Sequence, residues 1–234
     1  MEALYGPLDF MNKLFAAFAA SIALCTPLAA VADPAGIPIK SMASLGCMKL
    51  GECTDDVTRI TSVEQLKAHY GADWIGSHEQ ELTALIDRFN ATNIEVYLAT
   101  ELNFPTGHRG IYYTDVNKMF MNELHGTSVE SFLSTLRHEG WHAVQDCMAG
   151  TIGNSFIAVV HNEDLIPQEH KMMADVRYRF FSPAAIPWEQ EAIWAGDTAN
   201  MTADALNACA TGEMWREYSP TPMTAEWLES NDYL

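Results

Sequence analysis

The stretch STLRHEGWHAVQDCMAG, Ser134 to Gly150, constrains this chain more than any other. His138 and His142 stand four residues apart, and Glu139 directly follows the first. On an α-helix, side chains at i and i+4 share one face, one turn apart. Both imidazoles can therefore address a single ion, and zinc takes histidine nitrogens at about 2.0–2.1 Å. Glu139 lies at the side of this pair, where it reaches a water on the ion without ligating the metal. A water so held has its pKa lowered towards about 7, and a neighbouring carboxylate can accept its proton. Phe132, Leu133, Leu136 and Val144 supply the apolar side, and Thr127 with Glu130 forms a capping-box pattern at the start. The expectation is a helix with one buried side and one chemical side.

HEGWH is the HExxH pattern, and with its helical setting the segment resembles the zincin metallopeptidases. The resemblance covers His138 to about Ala195 and implies Zn2+ as cofactor, Glu139 as general base and peptide-bond hydrolysis. The metzincin subtype would need glycine and histidine where this chain has Gln145 and Met148, so it is excluded. A gluzincin takes its third ligand from a glutamate on a later helix, often followed by alanine. PWEQEAIWAGD offers Glu191-Ala192 in that role, although Ala195 occupies a position where that group often carries an aspartate. Glu189 competes, but two residues on a helix are about 200° apart, so both carboxylates cannot face one ion. Glu191 is the expected ligand because Ala192 and Ala195 allow close helix approach. Glu189 in the first turn is accounted for by the helix dipole. If neither serves, Glu163, Asp164 or His170 would be next. The resemblance further implies an edge strand that pairs with extended substrate, either GIYYT or NKMFMNEL. It also implies a transition-state donor, for which Tyr178, His170 and His161 are unranked candidates.

The rest of the chain sets the frame. TSVEQLKAHYG predicts a short helix capped by Ser62, and SHEQELTALIDRFNATN a longer one with Leu82, Leu85, Ile86 and Phe89 at helical spacing. Ile94–Thr100 has the β-branched and aromatic content of a strand. GIYYTDVNKMFMNEL reads as a hairpin turning at Asp115–Asn117. After Gly150 the pattern is mainly helical. This order predicts an α+β, zincin-like fold: a small, mostly antiparallel sheet on the histidine helix, with a mainly helical C-terminal half.

Residues 1–32 are expected to be a secretory signal peptide, with translation starting at Met11 and a small-x-small site at Ala30-Val31-Ala32. Residues 33–60 read as an irregular leader and 61–234 as the zincin-like domain. No stable membrane span is expected after cleavage, and the location would be secreted or periplasmic. Removing Cys25 leaves Cys47, Cys53, Cys147 and Cys209, and four cysteines allow three connectivities. Cys47–Cys53 would close a small loop, which by elimination joins Cys147 to Cys209. Cys209 lies eighteen residues past Glu191, about 27 Å along an unbroken helix. That pairing therefore requires a helix break, expected around Gly196 in AGDTAN. The formal charge of −18 excludes nucleic acid, whose phosphates require a basic face. Two functions remain open: an exported zinc metallopeptidase acting on a peptide or protein substrate, or an inactive zincin-like binding or structural protein of the cell envelope or extracellular space.

Overall fold

A computed structural model describes residues 56–105, 107–150, 157–180, 182–218 and 230. The predicted signal peptide, most of the leader and the Cys47–Cys53 pair lie outside the described residues. The described elements run β1 (Val57–Ile60), α1 (Val63–Tyr70), α2 (Glu79–Ala91), β2 (Glu95–Ala99), β3 (Gly110–Tyr113), β4 (Lys118–Asn122) and α3 (Val129–Met148). They continue with α4 (Gln168–Tyr178), α5 (Ile186–Asp197), α6 (Met201–Thr211) and the single turn α7 (Met214–Glu217), with short 3-10 turns between. The fold is α+β and mostly helical. Two differences from expectation are small. Val57–Ile60 is a strand rather than part of an irregular leader. The α3 cap is Ser128, whose hydroxyl accepts from the Ser131 N–H, one residue later than Thr127.

The sheet has four strands in the order β1-β2-β4-β3. The β1–β2 and β3–β4 pairings are antiparallel, whereas β2 and β4 run parallel, with Val96 beside Met119 and Leu98 beside Met121. The sheet is therefore mixed. The chain leaving β2 first reaches the outer edge as β3 and then turns back, so β4 enters between them. Alternation of side chains along each strand divides the two faces. Val96, Leu98, Met119 and Met121 join the main core with α2 and α3. Tyr97, Ile111, Tyr113 and Phe120 form a smaller cluster on the other side, Tyr97 stacking on Phe120 at 5.1 Å.

Helix α3 runs through the centre and is buried on several sides, with Leu136, Trp141, Ala143, Val144 and Met148 fully enclosed. Gly140 lets α2 and α6 close on it, since a Cβ there would lie 2.8 Å from both Phe89 and Thr202. The break between α5 and α6 falls at Thr198–Asn200, and Asn200 takes a left-handed conformation (φ 64°). The turn brings Cys209 to Cys147, and the two form the expected disulfide, Cα–Cα 6.1 Å. Arg137 braces the same corner. It holds Glu81 through two bonds (2.8 and 2.6 Å) and reaches the Gly196 carbonyl, while the Asn200 N–H also donates to Glu81.

Edge strand β3 is fastened to α3 by Tyr112. Its hydroxyl donates to Asp146 Oδ2 at 2.9 Å and lies 3.2 Å from the Asn117 side chain. Asp146 is fully buried, and burial pushes its carboxyl up to about 7 although the Tyr112 hydroxyl pulls the other way. Between about pH 4 and 7 the folded chain thus holds a proton here that the unfolded chain has lost, so this group makes stability fall as pH rises. Denaturant titrations across that range should show the decline in the wild type and a flatter profile in Asp146→Asn. Equal slopes in the two proteins would mean Asp146 ionises in the fold as freely as in water.

Candidate metal centre

Three side chains converge where α3 faces the first turn of α5. Glu189 Oε2 lies 3.5 Å from His138 Nε2, and Glu189 Oε1 lies 3.7 Å from His142 Nε2. The donor atoms of all three residues fall within 4.8 Å of one another. Tetrahedral ligands about 2.0–2.1 Å from an ion stand about 3.3–3.4 Å from each other, so these separations suit a zinc-sized ion. The imidazoles are perpendicular, with centroids 5.0 Å apart. Glu189 Oε2 is buried and has no hydrogen bond of good geometry, its nearest nitrogen being the one 3.5 Å away. An acceptor left so in a buried site is what a cation would satisfy.

The charges reinforce one another. Burial alone would raise the Glu189 carboxyl, but His138, His142 and the Tyr178 hydroxyl overcome it and hold the group at about 2. Burial likewise works to lower the His138 pKa, and Glu189 with Glu139 reverses this, leaving it raised. The Tyr178 hydroxyl, at the end of α4, lies near Glu189, and burial together with that carboxylate raises its phenol well above the ordinary value.

Glu139 lies beside the three and outside their set. It is buried, and desolvation raises its carboxyl against the pull of both histidines and of the nearby Tyr112 backbone N–H. Gly110 makes that approach of β3 feasible: a Cβ there would fall 2.7 Å from Glu139 Cγ and 2.9 Å from Thr135. Of the two strands considered for an edge, GIYY has that position and NKMFMN is internal.

Glu191, the expected third ligand, is elsewhere. It points to the opposite side of α5, is wholly buried, and accepts from the Val160 and His161 N–H groups, Gln145 Nε2 and Trp141 Nε1. Burial pushes its carboxyl up to about 7 against those four donors. The 200° separation of the two glutamates holds, but neither is a surface carboxylate. The overlooked signal is Gly196, two turns after Glu189 on the same face. A Cβ at Gly196 would stand 3.0 Å from the Ser134 carbonyl and 3.5 Å from His138 Cβ, so this is the face that presses on the histidines.

The remaining candidates are not brought together with the pair. His161 stacks on Trp141 at 5.5 Å among Trp194 and Tyr218, and burial pushes it down to about 4. His170 Nε2 faces Asp197 at 3.3 Å. Glu163 and Asp164 belong to a 3-10 turn whose residues are not buried. No family profile, curated protein or solved structure matches the chain.

Glu189→Ala should therefore reduce zinc affinity at least about a hundredfold, whereas Glu163→Ala should leave it unchanged, by competition titration against a chromophoric chelator. Wild-type affinity in Glu189→Ala would remove this residue from the ligand set.

Proposed function

We propose that this chain is an exported zinc-dependent metallopeptidase that hydrolyses peptide bonds. The observation that carries this reading is the position of Glu139, buried beside three converging ligands without being one of them. A closed structural site takes four protein ligands, while a catalytic one takes three and leaves a position open. Among the described residues the group has three. Zinc held there would polarise the substrate carbonyl and make water nucleophilic at neutral pH.

The protein's own groups divide the remaining work. Glu139, whose carboxyl is raised by burial, is suited to take a proton from water and pass it to the departing amine. Strand β3 is the sheet edge beside Glu139, and an extended peptide would bond to it by strand addition. The Tyr178 hydroxyl, kept protonated by its surroundings, can donate to oxygen charge developing near Glu189. Export accords with the Cys147–Cys209 disulfide, since such bonds persist in oxidising compartments.

Purified mature chain should cleave a mixed peptide pool, lose that activity to a chelator and regain it on adding zinc. Glu139→Gln should bind zinc normally yet be slower by about 10²–10⁴-fold, the usual worth of a general base. Full activity in Glu139→Gln would contradict the assignment.

A further inference from the structure

We infer that Gln145 and Glu191 are positioning residues for His142, fixing which imidazole nitrogen is left to bind metal. The inference deepens the proposed function and rests on its metal centre. The sequence singled out Glu191 as a metal ligand and Gln145 only as a departure from the metzincin pattern.

The orientation of Gln145 is set by an obligate acceptor. The Trp188 backbone carbonyl can only accept, and the Gln145 Nε2 group lies 2.9 Å from it. The second neighbour of that nitrogen is Glu191 Oε2, also at 2.9 Å. Both partners demand the amide NH2, so Gln145 has one permitted orientation and its Oε1 must point the other way. Oε1 lies 2.9 Å from His142 Nδ1. An amide oxygen only accepts, and Nδ1 must therefore carry the proton. In the neutral ring this leaves the lone pair on Nε2, the atom 3.7 Å from Glu189.

Glu191 is itself immobilised. The Val160 N–H donates to both its oxygens (2.9 and 3.0 Å), the His161 N–H to Oε1 (2.6 Å) and Trp141 Nε1 to Oε2 (3.3 Å). The Ala158 N–H adds a bond to the Gln145 backbone carbonyl. Gln145 and Glu191 are both completely buried, so water cannot substitute for any of these partners. Helix α5 thus acts on the centre from two faces: Glu189 directly, and Glu191 through Gln145 and His142. Partners one bond removed from a metal typically contribute 10–100-fold in affinity by fixing ring orientation and tautomer.

The test is the tautomer itself, read without metal. Long-range 1H–15N spectra of the histidine-labelled, metal-free full chain are recorded at about pH 9, well above the ordinary imidazole value of about 6.5, and His142→Ala identifies the signal. The wild type should show His142 protonated on Nδ1. Gln145→Leu and Glu191→Gln should move it towards the Nε2–H form that free histidine favours, and should weaken zinc binding about 10–100-fold. A wild-type His142 protonated on Nε2 overturns the inference before any variant is made. So does Gln145→Leu, folded by circular dichroism, with tautomer and zinc affinity unchanged. If the wild type carried Nδ1–H yet took no zinc, the proposed function would fall while this positioning role stood.

Discussion

The seam between α3 and α5 carries buried polar groups from both helices, and a helix pair joined in this way has few permitted rotations. Glu191 must meet Gln145, Trp141 and the 157–161 segment, because a buried carboxylate without donors costs several kcal/mol. Gly196 must meet the Ser134 carbonyl, because no other residue type fits there without displacement. Those two contacts lie on opposite sides of α5 and fix its rotation about its own axis. Glu189 then arrives at His138 and His142 as a consequence. The carboxylate that meets the two histidines is placed by the one that does not.

The surrounding fold supplies what that seam requires. Arg137, directly before the first histidine, ties α3 to Glu81 on α2 and to the end of α5, and Glu81 is held below the usual carboxylate range by that guanidinium and the Asn200 N–H despite its burial. The Cys147–Cys209 link closes the far end of α3 onto α6. On the opposite flank, Tyr112 binds the edge strand to Asp146 by its hydroxyl, and Gly110 of the same strand packs against Glu139. A short strand therefore couples sheet position to the surroundings of the proposed base.

Much of this was legible in the sequence. The helical spacing of Leu82, Leu85, Ile86 and Phe89 gives α2, the β-branched and aromatic content of Ile94–Thr100 gives β2, and the turn at Asp115–Asn117 gives the β3–β4 hairpin. HEGWH gives three of the four residues at the centre, because helix geometry turns a local spacing into a shared face. The break near Gly196 followed from the reach of a disulfide against the length of a helix. What escaped is non-local. Parallel pairing of β2 with β4 depends on how the chain crosses from Ala99 to Gly110, which no local pattern encodes. The choice between Glu189 and Glu191 turns on which face of α5 touches α3. A helix whose buried residues surround most of its circumference offers no periodicity from which to read that. Gln145 looked like any polar helical residue, since its importance lies in partners 43 and 46 positions away.

The central claim is a metal centre made by His138, His142 and Glu189. Crystals of the zinc-loaded mature chain, measured on both sides of the zinc absorption edge, test it most directly. One anomalous peak is expected about 2.0–2.2 Å from Nε2 of both histidines and from the Glu189 carboxylate, with Glu191 still bonded to Gln145. A peak ligated by Glu191, or none between the two helices, would contradict it.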